Sequence, residues 1–384
     1  MRPAPSRSSA AGDEARQAFH RAGRLVVKVG SALLVDPSGA VRREWLATLV
    51  ADLAALVARG CRPVVVSSGA IALGARRLGL KAGGRASLED AQAAAAVGQI
   101  RLAGLWAELL ADRGLEAAQI LVTLGDFEDR RHWLNASATL DRLLQLGVVP
   151  ILNENDSVAT EEIRFGDNDR LAARVAQAAR ADAVVLLSDV DGLYTADPAG
   201  DPTARLIAVV DDPAAVAGLA GAGSGSGLGS GGMAAKIEAA RIAAVSGIPL
   251  AIASGRPAHP LARFLDGGPA TLFTAPQAAP ARKAWLLGRM RVAGRLHVDA
   301  GAHAALRAGR SLLAAGIVAC EGEFRRGDAV DVVGDDGAAV ARGLVAYDRA
   351  EVERIRGLRT EAQAAVLGYA PRSAVIHRDQ MVLL

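Results

Sequence analysis

Cysteine is nearly absent from these 384 residues: Cys61 and Cys320 are the two, far apart and in no C-x-x-C. That excludes a disulfide scaffold and fits a reducing compartment, so a cytoplasmic location is expected. No apolar run reaches the length needed to span a membrane, so no membrane partner is expected. The net charge is only +3, too small for this length to make a nucleic-acid-binding field. The six histidines show no metal-ligand spacing, and no residue is assigned to a metal. A Walker loop, G-x-x-x-x-G-K-[ST], is missing as well. Residues 1–22 are rich in Pro, Ser, Ala and Arg without an apolar centre, which predicts a disordered leader and not a signal peptide.

Half of the chain is apolar, enough for a large core, and the length allows two domains. Arg24 to Val29, R-L-V-V-K-V, predicts a buried strand that ends in a tight turn at Gly30-Ser31. Lys28 near its end is costly to bury unless it meets an anion; a lysine that simply reaches the surface is the alternative. Arg42 to Arg59 has helical spacing at Trp45, Leu46, Leu49, Leu53, Leu56 and Val57. Strands are predicted at Pro63–Val66, Gln119–Thr123, Val148–Leu152, Ala183–Leu187 and Ile248–Ala253. Helices are predicted at Leu88–Leu110, Trp133–Leu146 and Met233–Val245. This alternation argues for an α/β fold with a largely parallel sheet, whose ligands sit beyond the carboxyl ends of the strands.

The polar clusters fall at those ends: Ser67-Ser68-Gly69, Asn153-Glu154-Asn155-Asp156 and Ser188-Asp189. Asp167 and Asp169, in F-G-D-N-D-R, stand at a helix start, where a capping role and a chemical one are both open. The stretch Ser224 to Lys236, S-G-S-G-L-G-S-G-G-M-A-A-K, stops its glycines where a helix begins and a lysine follows on the first turn. Glycines let backbone N–H groups face an anion, and a helix N-terminus adds positive partial charge there. The plain alternative is a flexible linker. From Phe273 to Met290 no long period is visible, and a domain boundary is placed there. Beyond it come short β runs at Arg295–Val298, Ile317–Cys320, Ala329–Val333 and Val340–Val345, which predict a small mainly β module.

Taken together, V-V-K-V-G-S (26–31), S-S-G-A-I-A-L-G (67–74), L-N-E-N-D-S-V-A-T (152–160), F-G-D-N-D (165–169), S-D-V-D-G-L-Y-T-A-D-P (188–198) and S-G-L-G-S-G-G-M-A-A-K (226–236) resemble the glutamate-phosphorylating branch of the amino-acid kinase family. The C-terminal module, with L-G-Y and later V-I-H-R-D, is similar to a PUA domain. The resemblance implies a three-layer α/β sandwich around the largely parallel sheet, over residues 23–273, then a linker at 274–293, the PUA domain at 294–372 and a tail at 373–384.

The implied activity is ATP-dependent phosphorylation of the γ-carboxylate of L-glutamate, the first step of proline synthesis, with Mg²⁺ as cofactor. By the same resemblance, Lys28 and Lys236 hold the transferring phosphoryl group and Asp169 orients both. Ser68, Asp156 and Asn168 bind glutamate. Lys28, Ser188, Asp189 and the run Ser230, Gly231, Gly232, Met233, Ala234, Ala235 and Lys236 bind ATP. Proline as feedback inhibitor, a homo-oligomer and a transient contact with glutamyl phosphate reductase are further expectations. RNA is the rival partner that a PUA module raises. Residues 294–372 hold eleven Arg and no Lys against eleven Asp plus Glu, a balance that speaks against strong binding of a nucleic-acid backbone.

Overall fold

The run R-L-V-V-K-V forms β1 (Arg24–Val29), and five of its six residues are buried. A strand buried on both faces needs cover on both sides, and this one has it. Leu25, Val27 and Val29 enter one apolar cluster, while Val26 points into a second. The computed structural model describes residues 7–36, 39–158, 168–198, 200–220, 232–275, 292–335 and 337–384. The glycine-rich stretch up to Gly231, including Ser230, and Phe165 to Asp167 lie outside the described residues. The chain divides into two compact units, residues 1–277 and 278–384.

In the first unit, β1 is followed by β2 (Arg62–Ser67), β3 (Ala117–Val122), β4 (Val149–Glu154), β5 (Ala183–Ser188), β6 (Val209–Val210), β7 (Leu250–Ser254) and β8 (Ala270–Phe273). They make one sheet in the order β3-β4-β2-β1-β5-β7-β8-β6. Pairing is parallel except between β7 and β8. Helices Arg43–Ala58 and Leu88–Ala111 supply leucines and tryptophans to the first cluster. Helices Arg130–Gln145, Asn168–Ala179 and Met233–Ala244 line the second, so the architecture is a three-layer α/β sandwich. The antiparallel β8 was not expected. Its four residues, A-T-L-F, are too short to carry a period of their own.

Two helices on the first face cross at unusually close range. A Cβ on Gly74, in helix Ala70–Leu78, would lie 1.8 Å from the carbonyl oxygen of Ala94. One on Gly98 would lie 1.8 Å from that of Ala70. Only glycine fits at either position, and the contact draws helix Leu88–Ala111 down onto the sheet.

Over its described residues, the leader expected to be disordered at 1–22 differs from that expectation. Residues Arg7–His20 form a helix that docks by its last turns. Phe19 is buried and meets Phe264 edge-on with ring centroids 5.2 Å apart. The Arg16 guanidinium donates to the carbonyl oxygens of Phe264, in the last turn of helix Pro260–Leu265, and of Gly268 just after it (the latter at 3.0 Å), a helix end where a cation is favoured. Composition shows neither contact, because both partners lie about 250 residues away.

The second unit contains β9 (Val292–Val298), β10 (Ile317–Gly322), β11 (Ala329–Val333), β12 (Ala339–Leu344) and β13 (Met381–Leu383) in the order β10-β9-β11-β12-β13. The expected tail at 373–384 is part of this sheet. β13 pairs with β12, and Val375, Ile376 and Met381 lie in the unit's core. Three short helices, Ala300–Arg307, Arg349–Ile355 and Thr360–Leu367, accompany the strands and were not expected.

Candidate active site

Strand register assembles the site. Val29 aligns with Ser67 on one side and Leu187 on the other, and Val66 aligns with Leu152. Ser67-Ser68, Asn153 and Ser188 therefore emerge at the same carboxyl edge as Lys28. The period of two puts Lys28 on the face of Val26, toward helices Asn168–Ala179 and Met233–Ala244. Those helices carry Asp169 and Lys236 in their first turns.

The three charges meet. Lys28 Nζ is 2.5 Å from Asp169 Oδ1, and Lys236 Nζ donates to Asp169 Oδ2 at 3.1 Å. Relative exposure is 7% for Lys28, 4% for Lys236 and 1% for Asp169, so all three charged groups are buried. Burial works to raise the Asp169 carboxyl. The charges and hydrogen bonds of Lys28 and Lys236 outweigh it and hold the group below its ordinary value. Asp169 is thus an ionised anchor for two ammonium groups, contacts that a helix cap by itself would not make. Buried charges are kept in proteins where they are paired, and both ammonium groups pair with this one carboxylate.

The surroundings suit an anion. Helix Met233–Ala244 starts at Gly232 with no side-chain cap; the Ala235 N–H already donates to the Gly232 carbonyl, so Met233 and Ala234 are the first-turn positions to offer an N–H. A lysine on that turn opposes the helix dipole unless an anion lies between them. A Cβ on Gly30 would lie 3.9 Å from Lys28 Nζ, an ordinary contact distance, so the turn after β1 runs close beside that ammonium. After β1 and β5, a cavity of about 560 Å³ is lined in part by Ser31, Arg76, Arg85, Asp189 and Arg256. Its guanidinium groups favour the entry of anions.

Next to Asp169 in the chain, Asn168 Nδ2 donates to Ser68 Oγ at 2.6 Å and to Asn153 Oδ1 at 3.1 Å. The Asn168 carbonyl oxygen, Oδ1, is buried with no hydrogen-bond partner. Asn153 Nδ2 donates to Gln99 Oε1 at 2.8 Å, and Trp106 Nε1 donates to Ser67 Oγ at 2.9 Å. Asp156 lies in the turn after β4. Burial pushes its carboxyl up to about 6 from an ordinary 3.8, against the opposing charge of Arg85. Ser188 Oγ donates to Asp189 Oδ1 at 3.1 Å, and the Ser188 carbonyl accepts the Gly255 N–H at 2.7 Å.

Of the residues singled out from sequence, Lys28, Asp169 and Lys236 are in direct contact, as are Ser68 and Asn168. Asp156, Ser188 and Asp189 follow β4 or end β5 at the same edge. Ser230 and Gly231 lie outside the described residues. Gln99, Asn153, Ser67 and Trp106 were given no role. Asn153 stood inside a quoted motif. Gln99 carries no local signal, being one polar residue in an alanine-rich helix. Among the described residues no three His, Cys, Asp or Glu group to hold a metal ion.

Comparison with known proteins places this geometry in a family. The sequence model of the amino acid kinase family matches residues 23–254, and that of the PUA domain matches residues 294–367. A glutamate 5-kinase of Sphingopyxis alaskensis is 62% identical over 361 residues, covering 94% of this chain and 97% of the relative. One of Novosphingobium aromaticivorans is 60% identical, covering 94% of this chain and 96% of the relative. One of Zymomonas mobilis is 57% identical, covering 94% and 91%. The chain belongs to the amino acid kinase family, in its glutamate 5-kinase group, with a PUA domain following the kinase domain.

Proposed function

We propose that this chain transfers the γ-phosphoryl group of ATP to the γ-carboxylate of L-glutamate, giving γ-glutamyl phosphate and ADP. The observation that carries this is the buried Lys28–Asp169–Lys236 triad at the carboxyl edge of the sheet. A carboxylate nucleophile is already ionised near neutral pH and needs no general base. Asp169, with both oxygens on lysines, is not placed to act as one. What the reaction needs is charge neutralisation between two anions and an in-line approach. Lys28 from the sheet and Lys236 from the helix would hold the transferring group from two sides, and charge that develops on it would fall between them.

Ser188, Asp189 and the run Ser230 to Lys236 would hold ATP. Mg²⁺ would enter on the nucleotide phosphates, keeping most of its waters, and no protein ligand is assigned to it. On the acceptor side, Asp156 would receive the ammonium group of glutamate, with Asn168 Oδ1 as a neutral acceptor near it, and Ser68 would receive a carboxylate. The relatives' shared name supports this assignment. An initial-rate panel of glutamate, acetylglutamate, aspartate and UMP tests it. Glutamate should give the highest kcat/KM by orders of magnitude, and a preference for any other acceptor refutes it.

The same pocket would bind proline, which keeps the α-carboxylate and a charged amine but lacks the reacting carboxylate. Inhibition competitive with glutamate is the expected pattern, and inhibition unchanged at saturating glutamate would place proline elsewhere. Cytoplasmic work as a homo-oligomer, with the acyl phosphate passing to a reductase, completes the proposal.

A further inference from the structure

We propose that Gln99 is a positioning residue for the acceptor amino acid, acting through Asn153 to hold the Asn168 amide with its carbonyl oxygen turned to the ligand's ammonium group. This rests on the reading that glutamate binds beside Asn168. Three amides are in series. Gln99 Oε1 accepts from Asn153 Nδ2 at 2.8 Å, and Asn153 Oδ1 accepts from Asn168 Nδ2 at 3.1 Å. Asn168 Nδ2 also reaches Ser68 Oγ at 2.6 Å, so both of its protons are used. Its remaining polar atom, Oδ1, is buried and lacks a partner, the one end of the series left open. A buried carbonyl oxygen without a donor is destabilising by itself. A bound ammonium group supplies the missing donor.

The polarity of the series is set at the Gln99 end. If Asn153 turned over, its amide nitrogen would face the amide nitrogen of Asn168, two donors with no acceptor. Gln99 Oε1 prevents this by taking the Asn153 proton. Gln99 is 8% exposed, and it reaches β4 because the neighbouring Gly98 lets its helix cross helix Ala70–Leu78 at backbone contact. One turn pair further along the same stripe, Trp106 secures Ser67 at the end of β2. Helix Leu88–Ala111 thus fixes two adjacent strand ends of the acceptor side with side chains seven residues apart. The helix makes neither of these contacts to the lysine triad.

The test compares Gln99→Met with Gln99→Glu. Methionine has nearly the same length and no strong acceptor, so it strands the Asn153 proton. Glutamate at position 99 supplies an acceptor in either protonation state. For Gln99→Met, KM for glutamate should rise about tenfold, as for one buried hydrogen bond lost, while kcat and KM for ATP stay within about twofold. Gln99→Glu should return KM for glutamate to within about threefold of the wild type. Calorimetric titration of glutamate without ATP should show the same order of affinities. Unchanged glutamate affinity in Gln99→Met overturns the proposal. So does a parallel loss for both substrates with a lowered unfolding temperature, which marks a purely structural role. A Gln99→Glu variant as impaired as Gln99→Met overturns the assigned polarity. A wild-type chain that neither binds nor phosphorylates glutamate instead overturns the functional reading, and the purpose of the relay with it.

Discussion

Replacing Asp169 by Asn removes the charge that two buried lysines share while keeping the side chain's size. In the wild type, Lys28 and Lys236 are anchored to opposite oxygens of one carboxylate that is 1% exposed. An amide offers one acceptor oxygen and no charge, so at least one ammonium loses its partner. Removing one member of a buried ion pair typically destabilises by about 3–5 kcal/mol. Catalysis suffers separately, because the lysines would no longer be held where charge develops. The loss of one preorganised contact costs about 3 kcal/mol, or roughly a hundredfold in kcat. The sign of the pH dependence follows from the direction of the Asp169 shift. A carboxyl held below its ordinary value contributes its stabilisation fully above about 3.8, its unshifted value, and loses it as pH falls through the lowered value. Asp169→Asn should therefore lower the unfolding temperature at pH 7 and flatten its decline in acid. Saturating ATP should restore more stability to the variant than to the wild type, since the phosphates supply the missing negative charge. Thermal scans with and without nucleotide, beside a coupled ADP assay, read all of this. A folded variant with kcat within about threefold of the wild type would refute the anchoring role.

Lys236→Ala should cut kcat by about a hundredfold and move KM for glutamate little, because the lysine serves the transferring group; initial rates on the folded variant decide it. Folding raises the Asp156 carboxyl from 3.8 to about 6, so its ionisation costs the fold increasingly across that window and about 3 kcal/mol above it, a cost that a bound ammonium group relieves. Accordingly kcat/KM for glutamate should fall as pH drops through about 6 in the wild type. Asp156→Asn should lose this limb and weaken glutamate and proline together, worth about 1.5–3 kcal/mol each. Gly98→Ala would force a Cβ to 1.8 Å from the Ala70 carbonyl, so it should destabilise by about 3 kcal/mol or more, read by thermal unfolding. A chain ending near residue 291 should still phosphorylate glutamate, since the assigned chemistry precedes the second unit; complete loss of activity in a soluble, folded truncation would contradict that.

What could be read from sequence was whatever chemistry writes locally. A lysine in a buried strand, glycines ending at a helix start and polar clusters after apolar runs each break a local pattern, and the triad grew out of them. Lys28 and Lys236 were paired with Asp169 by resemblance, and strand period with register explains physically why they meet. Residues whose role exists only in three dimensions were not legible. Gln99 looks like one more polar residue on a helix until Gly98 and Gly74 bring that helix against β4. Helix Arg7–His20 read as disordered because Phe19 finds its partner, Phe264, at the far end of the domain. The turn at Asp156 was visible, but its raised carboxyl follows from burial, which no local pattern records.

The most direct test of the central claim is to identify the product. Purified full-length chain would be incubated with ATP, Mg²⁺, L-glutamate and hydroxylamine, which converts an acyl phosphate to a hydroxamate, and the products analysed by mass spectrometry. The account predicts γ-glutamyl hydroxamate in step with ADP, with both reduced about a hundredfold or more in Lys236→Ala. ADP formation without hydroxamate, or hydroxamate formed at an undiminished rate by the Lys236 variant, would contradict it.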